Sequence, residues 1–78
     1  MSAKPKLVIG ANGFLGSHVT RRLVADGAEV RAMVRPTAKT RGIDDLQVTR
    51  FLGDVFDTDT LREAVDGVDD VYYCVVDT

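Results

Sequence analysis

The stretch that decides the fold is residues 10–16, GANGFLG, in which a glycine stands at every third position. It follows a short apolar run over residues 6–10, KLVIG, which is typical of a strand buried on both faces. It leads into residues 13–26, where apolar side chains recur at helical spacing. Gly27 is well placed to end this helix, because glycine readily adopts the left-handed conformation of a helix terminus. These residues predict a strand, a tight glycine turn and a helix.

The rest of the chain continues this alternation of strands and helices. Apolar runs predict strands over residues 29–34, 46–52 and 70–76, and the last of these, DVYYCVV, is the most apolar run in the chain. The polar stretch 37–45 is predicted to be a loop. A second helix is predicted from four apolar residues at helical spacing, namely Leu61, Ala64, Val65 and Val68. Short apolar strands that alternate with helices indicate an α/β fold with a parallel sheet and right-handed crossovers.

The start of the second helix has two candidate caps. Thr60 and Glu63 stand at the spacing of a capping box, and Asp57 is a rival N-cap. The sequence leaves this choice open.

Length and composition exclude several classes of protein. The chain has 78 residues and a net charge of −2, which allows one core and is too little charge to keep the chain unfolded. One cysteine and one histidine rule out a disulfide framework and argue against a stabilising metal. No apolar run is long enough for a membrane span, and the acidic, interspersed charge argues against a nucleic-acid partner. Without a signal-peptide pattern at the N-terminus, we expect a reducing, cytoplasmic setting.

The three glycines suit a phosphate-binding turn. Gly10 can make the tight turn out of the strand, Gly13 leaves room for a pyrophosphate, and Gly16 lets the helix pack closely. The free backbone N–H groups of Phe14 and Leu15 would then face the anion from the positive end of the helix. A Walker phosphate loop is excluded, because no Gly-Lys-Ser/Thr follows. A glycine turn that merely packs is the alternative, but the position between a strand and a helix favours dinucleotide binding.

With these features in place, the sequence resembles the N-terminal part of an extended short-chain dehydrogenase/reductase. Within that superfamily it is similar to dihydroflavonol-4-reductase-like proteins and NAD-dependent epimerase/dehydratases. Four segments carry the resemblance in the family's order and spacing: VIGANGFLGSHV, AEVRAMVRP, GDVFD and DDVYYCVVDT. The resemblance implies a Rossmann-like sheet of four strands in the order 3-2-1-4, with two main helices. It implies an NAD(P) cofactor and leaves the substrate undetermined.

The end of the second strand distinguishes NAD from NADP in such folds. A carboxylate there would accept hydrogen bonds from the ribose hydroxyls of NAD and repel the 2′-phosphate of NADP. In register with NAD-binding family members, the acidic position falls on Val34, and Arg35 follows. Arg35 can hold a 2′-phosphate and stack on adenine, so we predict a preference for NADP with NAD still possible. Lys39 and Arg41 in the next loop are interpreted as solvated charges.

The resemblance assigns further cofactor contacts. Asp54 matches the family position that accepts a hydrogen bond from the adenine amine, with a simple turn aspartate as the alternative, and Val55 would pack on the ring. After the fourth strand the family usually has a His followed by two small residues, and this sequence departs from that pattern with Tyr73 and the pair Val75-Val76. Val75 and Val76 could still line the central ribose. No residue is predicted to be catalytic or to bind a metal. The predicted cofactor-binding residues are Gly10, Asn12, Gly13, Phe14, Leu15, Gly16, Arg35, Asp54, Val55 and Val75.

Three chemically capable residues are given no role. His18 has no partner carboxylate or cysteine in the sequence pattern and is interpreted as a surface residue. Cys74 lies in an apolar strand and is interpreted as a buried structural thiol. Tyr73 is not the family's catalytic tyrosine, because no lysine stands four residues later.

The motifs that the chain lacks bear on its activity. In the family the general acid is the tyrosine of a Tyr-x-x-x-Lys motif beyond the fourth strand, and this sequence has no such motif. We therefore expect residues 1–78 to be the N-terminal half of an NAD(P)-binding Rossmann domain, truncated before the substrate domain and without turnover. A non-enzymatic dinucleotide sensor and a functionless truncated product are the alternatives. Because the strand over residues 70–76 would form a sheet edge, we expect homo-oligomers through it.

Overall fold

The computed structural model describes residues 4–36, 39–54 and 56–75. In these residues the chain forms a four-stranded parallel sheet and two α-helices. The elements are β1 (Lys6–Ile9), α1 (Phe14–Ala25), β2 (Val30–Val34), β3 (Thr49–Leu52), α2 (Thr58–Val65) and β4 (Asp70–Tyr73). The strands lie in the order β3-β2-β1-β4. The predicted fold class, a Rossmann-like sheet with two helices, is confirmed.

The pairing of the strands brings their carboxyl ends to one edge of the sheet. β1 pairs in parallel with β2 and with β4, and β2 pairs in parallel with β3. At the end of β1, Ile9 lies opposite Met33 and Tyr73. At the end of β2, Val34 lies opposite Leu52. The segments that follow all four strands therefore meet along this edge.

The core lies on both faces of β1, as predicted for a doubly covered strand. Leu7 and Val8 have no exposed surface, and Ile9 is 5% exposed. Because side chains alternate across a strand, Val8 belongs to the cluster on the α1 side, and Leu7 and Ile9 to the other. That second cluster includes Ala64 of α2. The sheet is thus a middle layer between the two helices.

The end of α1 has the geometry that its glycine predicts. Gly27 has a φ of +85°, which glycine adopts at little cost. The N–H of Gly27 donates to the carbonyl of Val24, and the N–H of Ala28 donates to the carbonyl of Leu23, both at 3.0 Å. This pair of hydrogen bonds is a Schellman motif, which satisfies carbonyls that the helix leaves without partners.

The N-cap of α2 is Asp57, and the alternative capping box of Thr60 with Glu63 is not formed. The carboxylate of Asp57 accepts a hydrogen bond from the N–H of Thr60 at 3.2 Å and one from the Thr60 hydroxyl at 2.9 Å. Thr60 lies in the first turn, where its N–H lacks a partner within the helix and needs an outside acceptor. The hydrogen bonds from Thr60 lower the pKa of Asp57 below its ordinary value.

Arg31 of β2 attaches the other end of α2 to the sheet. Its guanidinium lies 5.7 Å from the centre of the Phe51 ring. One terminal nitrogen donates to the carbonyls of Glu63, Ala64 and Asp66, at 3.3, 3.0 and 2.7 Å. The last carbonyls of a helix carry partial negative charge, so this cation stabilises the C-terminus of α2 while it holds it against β2.

The polar stretch after β2 contributes to the core, which its composition did not indicate. Ile43 within it is fully buried in the cluster on the α1 side. Arg21 of α1 fastens this stretch: its guanidinium donates to both carboxylate oxygens of Asp45, at 3.0 and 2.9 Å, and to the carbonyl of Gly42 at 2.8 Å. The interpretation of residues 37–45 as a simple loop therefore missed a core side chain.

All four strands are shorter than predicted, β1 and β2 by one residue and β3 and β4 by three. β3 begins at Thr49 rather than at residue 46, because Leu46 and Val48 pack against the core without pairing to a strand. β4 ends at Tyr73, and Val76 at the end of the predicted strand lies outside the described residues. An apolar run in the sequence therefore predicts that its residues are buried, but it does not show which of them pair with a neighbouring strand.

The substitution Ile43→Ala tests the contribution of the 39–46 segment to the core. We expect it to lower the free energy of unfolding by about 2–4 kcal/mol, because a fully buried aliphatic side chain is lost and a cavity remains. Urea denaturation followed by circular dichroism measures this. Leu52→Ala is the matched control, since Leu52 is 59% exposed and should change stability little. Equal midpoints for the two variants would contradict the role of Ile43.

Candidate functional site

A cavity of about 280 Å³ opens where the carboxyl ends of the four strands meet. Ligands of open parallel α/β sheets bind outside the carboxyl ends of the strands, where the strand order reverses. Here the order reverses at β1, which has β2 on one side and β4 on the other. The residues that line the cavity are Ile9, Gly10, Asn12, Gly13, Met33, Val34, Arg35, Gly53, Asp54, Cys74 and Val75.

Gly10 forms the turn out of β1 that its position predicts. Its φ is +80°, and its N–H donates to the carbonyl of Met33 at 3.0 Å. A Cβ at this position would lie 3.1 Å from the side chain of Val75 and 3.2 Å from the carbonyl group of Cys74. The backbone conformation and the close approach of the segment after β4 both require glycine here.

Gly16 and Gly13 differ in what surrounds them. A Cβ at position 16 would lie 2.8 Å from the carbonyl carbon of Gly10 and 3.0 Å from the Cα of Ala11. These are backbone atoms, so α1 can approach the turn this closely only without a side chain. A Cβ at Gly13 would meet no atom closer than the Gly10 carbonyl oxygen at 3.5 Å. Gly16 is therefore required by packing, whereas Gly13 leaves open space at the cavity wall.

The first turn of α1 presents unused hydrogen-bond donors. Gly13 is the N-cap, in extended conformation, and its carbonyl accepts from the N–H of Ser17 at 2.8 Å. Within the described part of the chain, no acceptor is bonded to the N–H groups of Phe14, Leu15 or Gly16. The first turn also carries no acidic side chain. These N–H groups and the positive end of the helix dipole form an anion-binding environment.

The side chains of Phe14 and Leu15 do not line the cavity. Phe14 is 85% exposed and packs edge-to-face on the ring of His18, with the ring centres 4.7 Å apart. Leu15 is half exposed. Both residues of the predicted set can therefore act at the site through their backbone alone. His18 lies on the surface, as predicted.

Arg35 and Asp54 stand together at the side of the cavity formed by β2 and β3. Arg35 follows β2 and Asp54 follows β3, and these strands are paired up to their last residues, Val34 and Leu52. The N–H of Gly53 then donates to the carbonyl of Val34 at 2.8 Å, which keeps the two segments together beyond the strands. The Nε of Arg35 lies 3.4 Å from one carboxylate oxygen of Asp54. The other carboxylate oxygen accepts the N–H of Phe56 at 3.2 Å. The site thus holds one cation and one anion in contact with each other.

The wall formed by the segment after β4 is partly apolar. The N–H of Cys74 donates to the carbonyl of Ile9 at 2.9 Å, which places Cys74 and Val75 beside the glycine turn. Cys74 is buried, and burial raises the pKa of its thiol above the ordinary value. This agrees with the interpretation of Cys74 as a structural thiol. Val55 and Val76 were also predicted at the site, and both lie outside the described residues.

The structure brings six of the ten predicted residues to the cavity wall, and it adds residues that the sequence did not single out. Met33 and Gly53 are two of these additions. At Gly53 a Cβ would lie 2.6 Å from the side chain of Thr60, so glycine lets the start of α2 close over the end of β3. Met33 could have been predicted from its position one residue before the end of β2, because the cavity lies at the carboxyl ends of the strands. The predicted residues on the wall are Gly10, Asn12, Gly13, Arg35, Asp54 and Val75.

Within residues 4–36, 39–54 and 56–75, no group of three histidine, cysteine or acidic side chains is arranged to hold a metal ion. In the same residues, no helix is both long and apolar enough to cross a membrane.

The chain is similar to known proteins over nearly its whole length. Residues 10–78 match the family model described as NAD(P)H-binding. A protein named sterol demethylase protein B, from Methylococcus capsulatus, is 40% identical over 67 residues, which are 86% of this chain and 20% of that protein. The human sterol-4-alpha-carboxylate 3-dehydrogenase, decarboxylating, is 39% identical over 72 residues, which are 92% of this chain and 18% of that protein. The chain thus spans about a fifth of the length of these curated relatives.

A solved structure supports the same relationship. The UDP-glucose 4-epimerase of Thermus thermophilus, solved in complex with NAD, matches with a TM-score of 0.79 and 27% sequence identity. The match covers 95% of this chain and 24% of that chain.

The different surroundings of the two glycines can be tested by adding a single methyl group to each. We expect Gly16→Ala to lower the free energy of unfolding by about 1–3 kcal/mol or more, because its Cβ meets backbone that cannot move aside. Gly13→Ala is the matched control and should cost less than about 1 kcal/mol, mainly through a poorer N-cap. Urea denaturation of both variants measures the difference. Equal losses would show that α1 is free to move away from the turn.

Proposed function

The chain belongs to the NAD(P)H-binding family of Rossmann-fold reductases, epimerases and dehydratases, and from this premise we propose that it binds NADP in preference to NAD. We further propose that residues 1–78 are the N-terminal half of such a cofactor-binding domain. The observation that carries dinucleotide binding is the glycine turn. Its open N–H donors stand beside a cavity at the carboxyl ends of the strands.

The pyrophosphate is assigned to the first turn of α1. The N–H groups of Phe14 and Leu15 would donate to it, and the absence of a side chain at Gly13 would allow it to approach the backbone. Gly10 and Gly16 hold this turn in shape and need not touch the ligand. Asn12 lines the same wall and supplies a polar side chain beside the phosphates.

The adenosine half is assigned to the ends of β2 and β3. Asp54 would accept a hydrogen bond from the adenine amine, and Val55 would pack on the ring. Arg35 would hold the 2′-phosphate of NADP. On the other side of β1, Val75 would line the ribose nearer the nicotinamide. With this division the ligand would lie across β1, from the β2 side of the cavity to the β4 side.

The preference for NADP rests on the two residues at the end of β2. Val34 is 2% exposed and apolar, so this position offers no carboxylate to the ribose hydroxyls. Arg35, the next residue, is more than half exposed at the cavity wall. A guanidinium recognises a phosphate by paired, charge-assisted hydrogen bonds.

The bound cofactor supplies hydride exchange at its nicotinamide ring, and the residues of this chain bind and orient it. The sequence contains no Tyr-x-x-x-Lys motif to supply a proton, so we propose that these 78 residues alone do not turn over a substrate. The names of the sterol relatives make the dehydrogenation of a sterol-like alcohol the first reaction to test in a longer form of the protein.

Titration with NADP and NAD tests the proposed cofactor. We expect tighter binding of NADP, and we expect Arg35→Gln to weaken NADP binding roughly tenfold, the effect of losing charge-assisted hydrogen bonds, with little change for NAD. Isothermal titration calorimetry of the 78-residue chain measures both affinities. Arg62→Gln is the matched control, because Arg62 lies exposed on α2 and does not line the cavity. Equal or tighter binding of NAD by the unsubstituted chain would overturn the NADP preference.

We also propose that the chain self-associates through β4. Among the described residues, β4 pairs with β1 on one side and with no strand on the other. Val71 and Tyr73 point to the same face of the sheet, and they are 51% and 61% exposed. An unpaired edge with apolar side chains favours pairing with a second copy.

Sedimentation velocity over a range of concentrations tests this edge. We expect a concentration-dependent dimer that Val71→Lys converts to monomer, because a lysine at the edge opposes pairing. Leu52→Lys on β3, the other edge strand, is the matched control and should leave the dimer intact. A monomer at every concentration would refute association through β4.

A further inference from the structure

Arg35 and Asp54 form an ion pair inside the site assigned to the adenosine half of the cofactor. Both side chains line the cavity, and the Nε of Arg35 lies 3.4 Å from a carboxylate oxygen of Asp54. Arg35 would attract a 2′-phosphate, and Asp54 would repel it. The sequence suggested separate tasks for them, one at the phosphate and one at adenine, but the structure places them in contact.

The position of Asp54 is set by its own backbone. One carboxylate oxygen accepts the N–H of Phe56 at 3.2 Å, and the carbonyl of Asp54 accepts the N–H of Asp57 at 2.9 Å. This is an Asx turn between β3 and α2. With one oxygen engaged by Phe56, the second carboxylate oxygen faces Arg35.

Arg35, by contrast, is engaged at one nitrogen only. The contact with Asp54 uses Nε, and within the described part of the chain no acceptor is bonded to the two terminal nitrogens. The side chain of Arg35 is 68% exposed and that of Asp54 is 40% exposed. Ion pairs this exposed are weak and exchange readily, so a second anion can take over the guanidinium.

We propose that Asp54 is a counter-anion of Arg35 that limits the preference of this site for NADP over NAD. The proposal rests on the dinucleotide-binding function proposed above. The 2′-phosphate of NADP must draw Arg35 away from Asp54, whereas NAD has no group that needs to do so.

The experiment uses two ligands that differ only in the 2′-phosphate, adenosine 2′,5′-bisphosphate and adenosine 5′-monophosphate. Their dissociation constants are measured by calorimetry at low salt, and the ratio of the two constants reports recognition of the 2′-phosphate alone. Asp54→Asn removes the charge but keeps an oxygen that can accept the N–H of Phe56. We expect it to raise the preference for the bisphosphate about two- to fivefold, the factor that a surface ion pair is typically worth.

Two further variants show whether Asp54 acts through Arg35. In an Arg35→Gln background, Asp54→Asn should leave the ratio unchanged, because no guanidinium remains to be released. Asp57→Asn is the matched control: it removes the same charge nearby, asparagine is an equally good N-cap, and Asp57 has no contact with Arg35. Its ratio should equal that of the unsubstituted chain. If thermal unfolding shows Asp54→Asn to be unfolded, Asp54→Ser provides the same loss of charge with another oxygen for the turn.

Each other outcome overturns the proposal in a recognisable way. An equal loss of affinity for both ligands would show that Asp54 recognises adenine only. A fall in the ratio would show that Asp54 orients Arg35 toward the phosphate. A rise that persists in the Arg35→Gln background would show direct repulsion of the phosphate. If the unsubstituted chain binds neither of these ligands and neither dinucleotide, the proposed function itself fails. The other three outcomes leave dinucleotide binding intact and contradict only the role of Asp54.

Discussion

The contact between the backbone of α1 and the glycine turn is the constraint on which the site depends. Gly16 lies so close to Gly10 and Ala11 that no side chain fits between the helix and the turn. The hydroxyl of Thr20, which is fully buried, donates to the carbonyl of Gly16 at 2.7 Å and braces the helix at the same point. Because of this approach, the free donors of the first turn stand at the edge where the strands end. A helix displaced by the width of a methyl group would carry them away from it.

The two halves of the site use different chemical groups, one mainly backbone and the other charged side chains. The half beside α1 consists mainly of backbone groups, with the side chain of Asn12 beside them, and its shape follows from the absence of side chains at Gly10, Gly13 and Gly16. The half beside β2 and β3 consists of charged side chains, Arg35 and Asp54, on segments that the strand pairing brings together. Backbone donors recognise what all dinucleotides share, whereas side chains can distinguish one dinucleotide from another. Affinity and selectivity can therefore change independently in this architecture.

Much of the fold was predictable because its signals are local. The glycine turn, the Schellman end of α1 and the parallel order of strands all follow from residues near one another or from a resemblance that spans the chain. Ile43 was missed because the residues around it in sequence are mostly polar, and the hydrogen bonds from Arg21 that hold its segment against α1 join residues far apart in the chain. The contact of Arg35 with Asp54 was missed because it depends on the register of β2 against β3. Periodicity describes one element at a time and carries no information about register.

The central position of β1 has a consequence for how the chain acquires its structure. β1 is the first strand in the sequence, but one of its two neighbours, β4, is the last, and Lys6 meets Asp70 across 64 residues. Closing so long a loop costs entropy before any contact repays it, and folding slows as the sequence separation of contacts grows. On a ribosome, β1 and β2 can pair well before β4 emerges. The cavity wall at Val75 can therefore be completed only after residues 70–75 have been synthesised, well after the glycine turn has emerged.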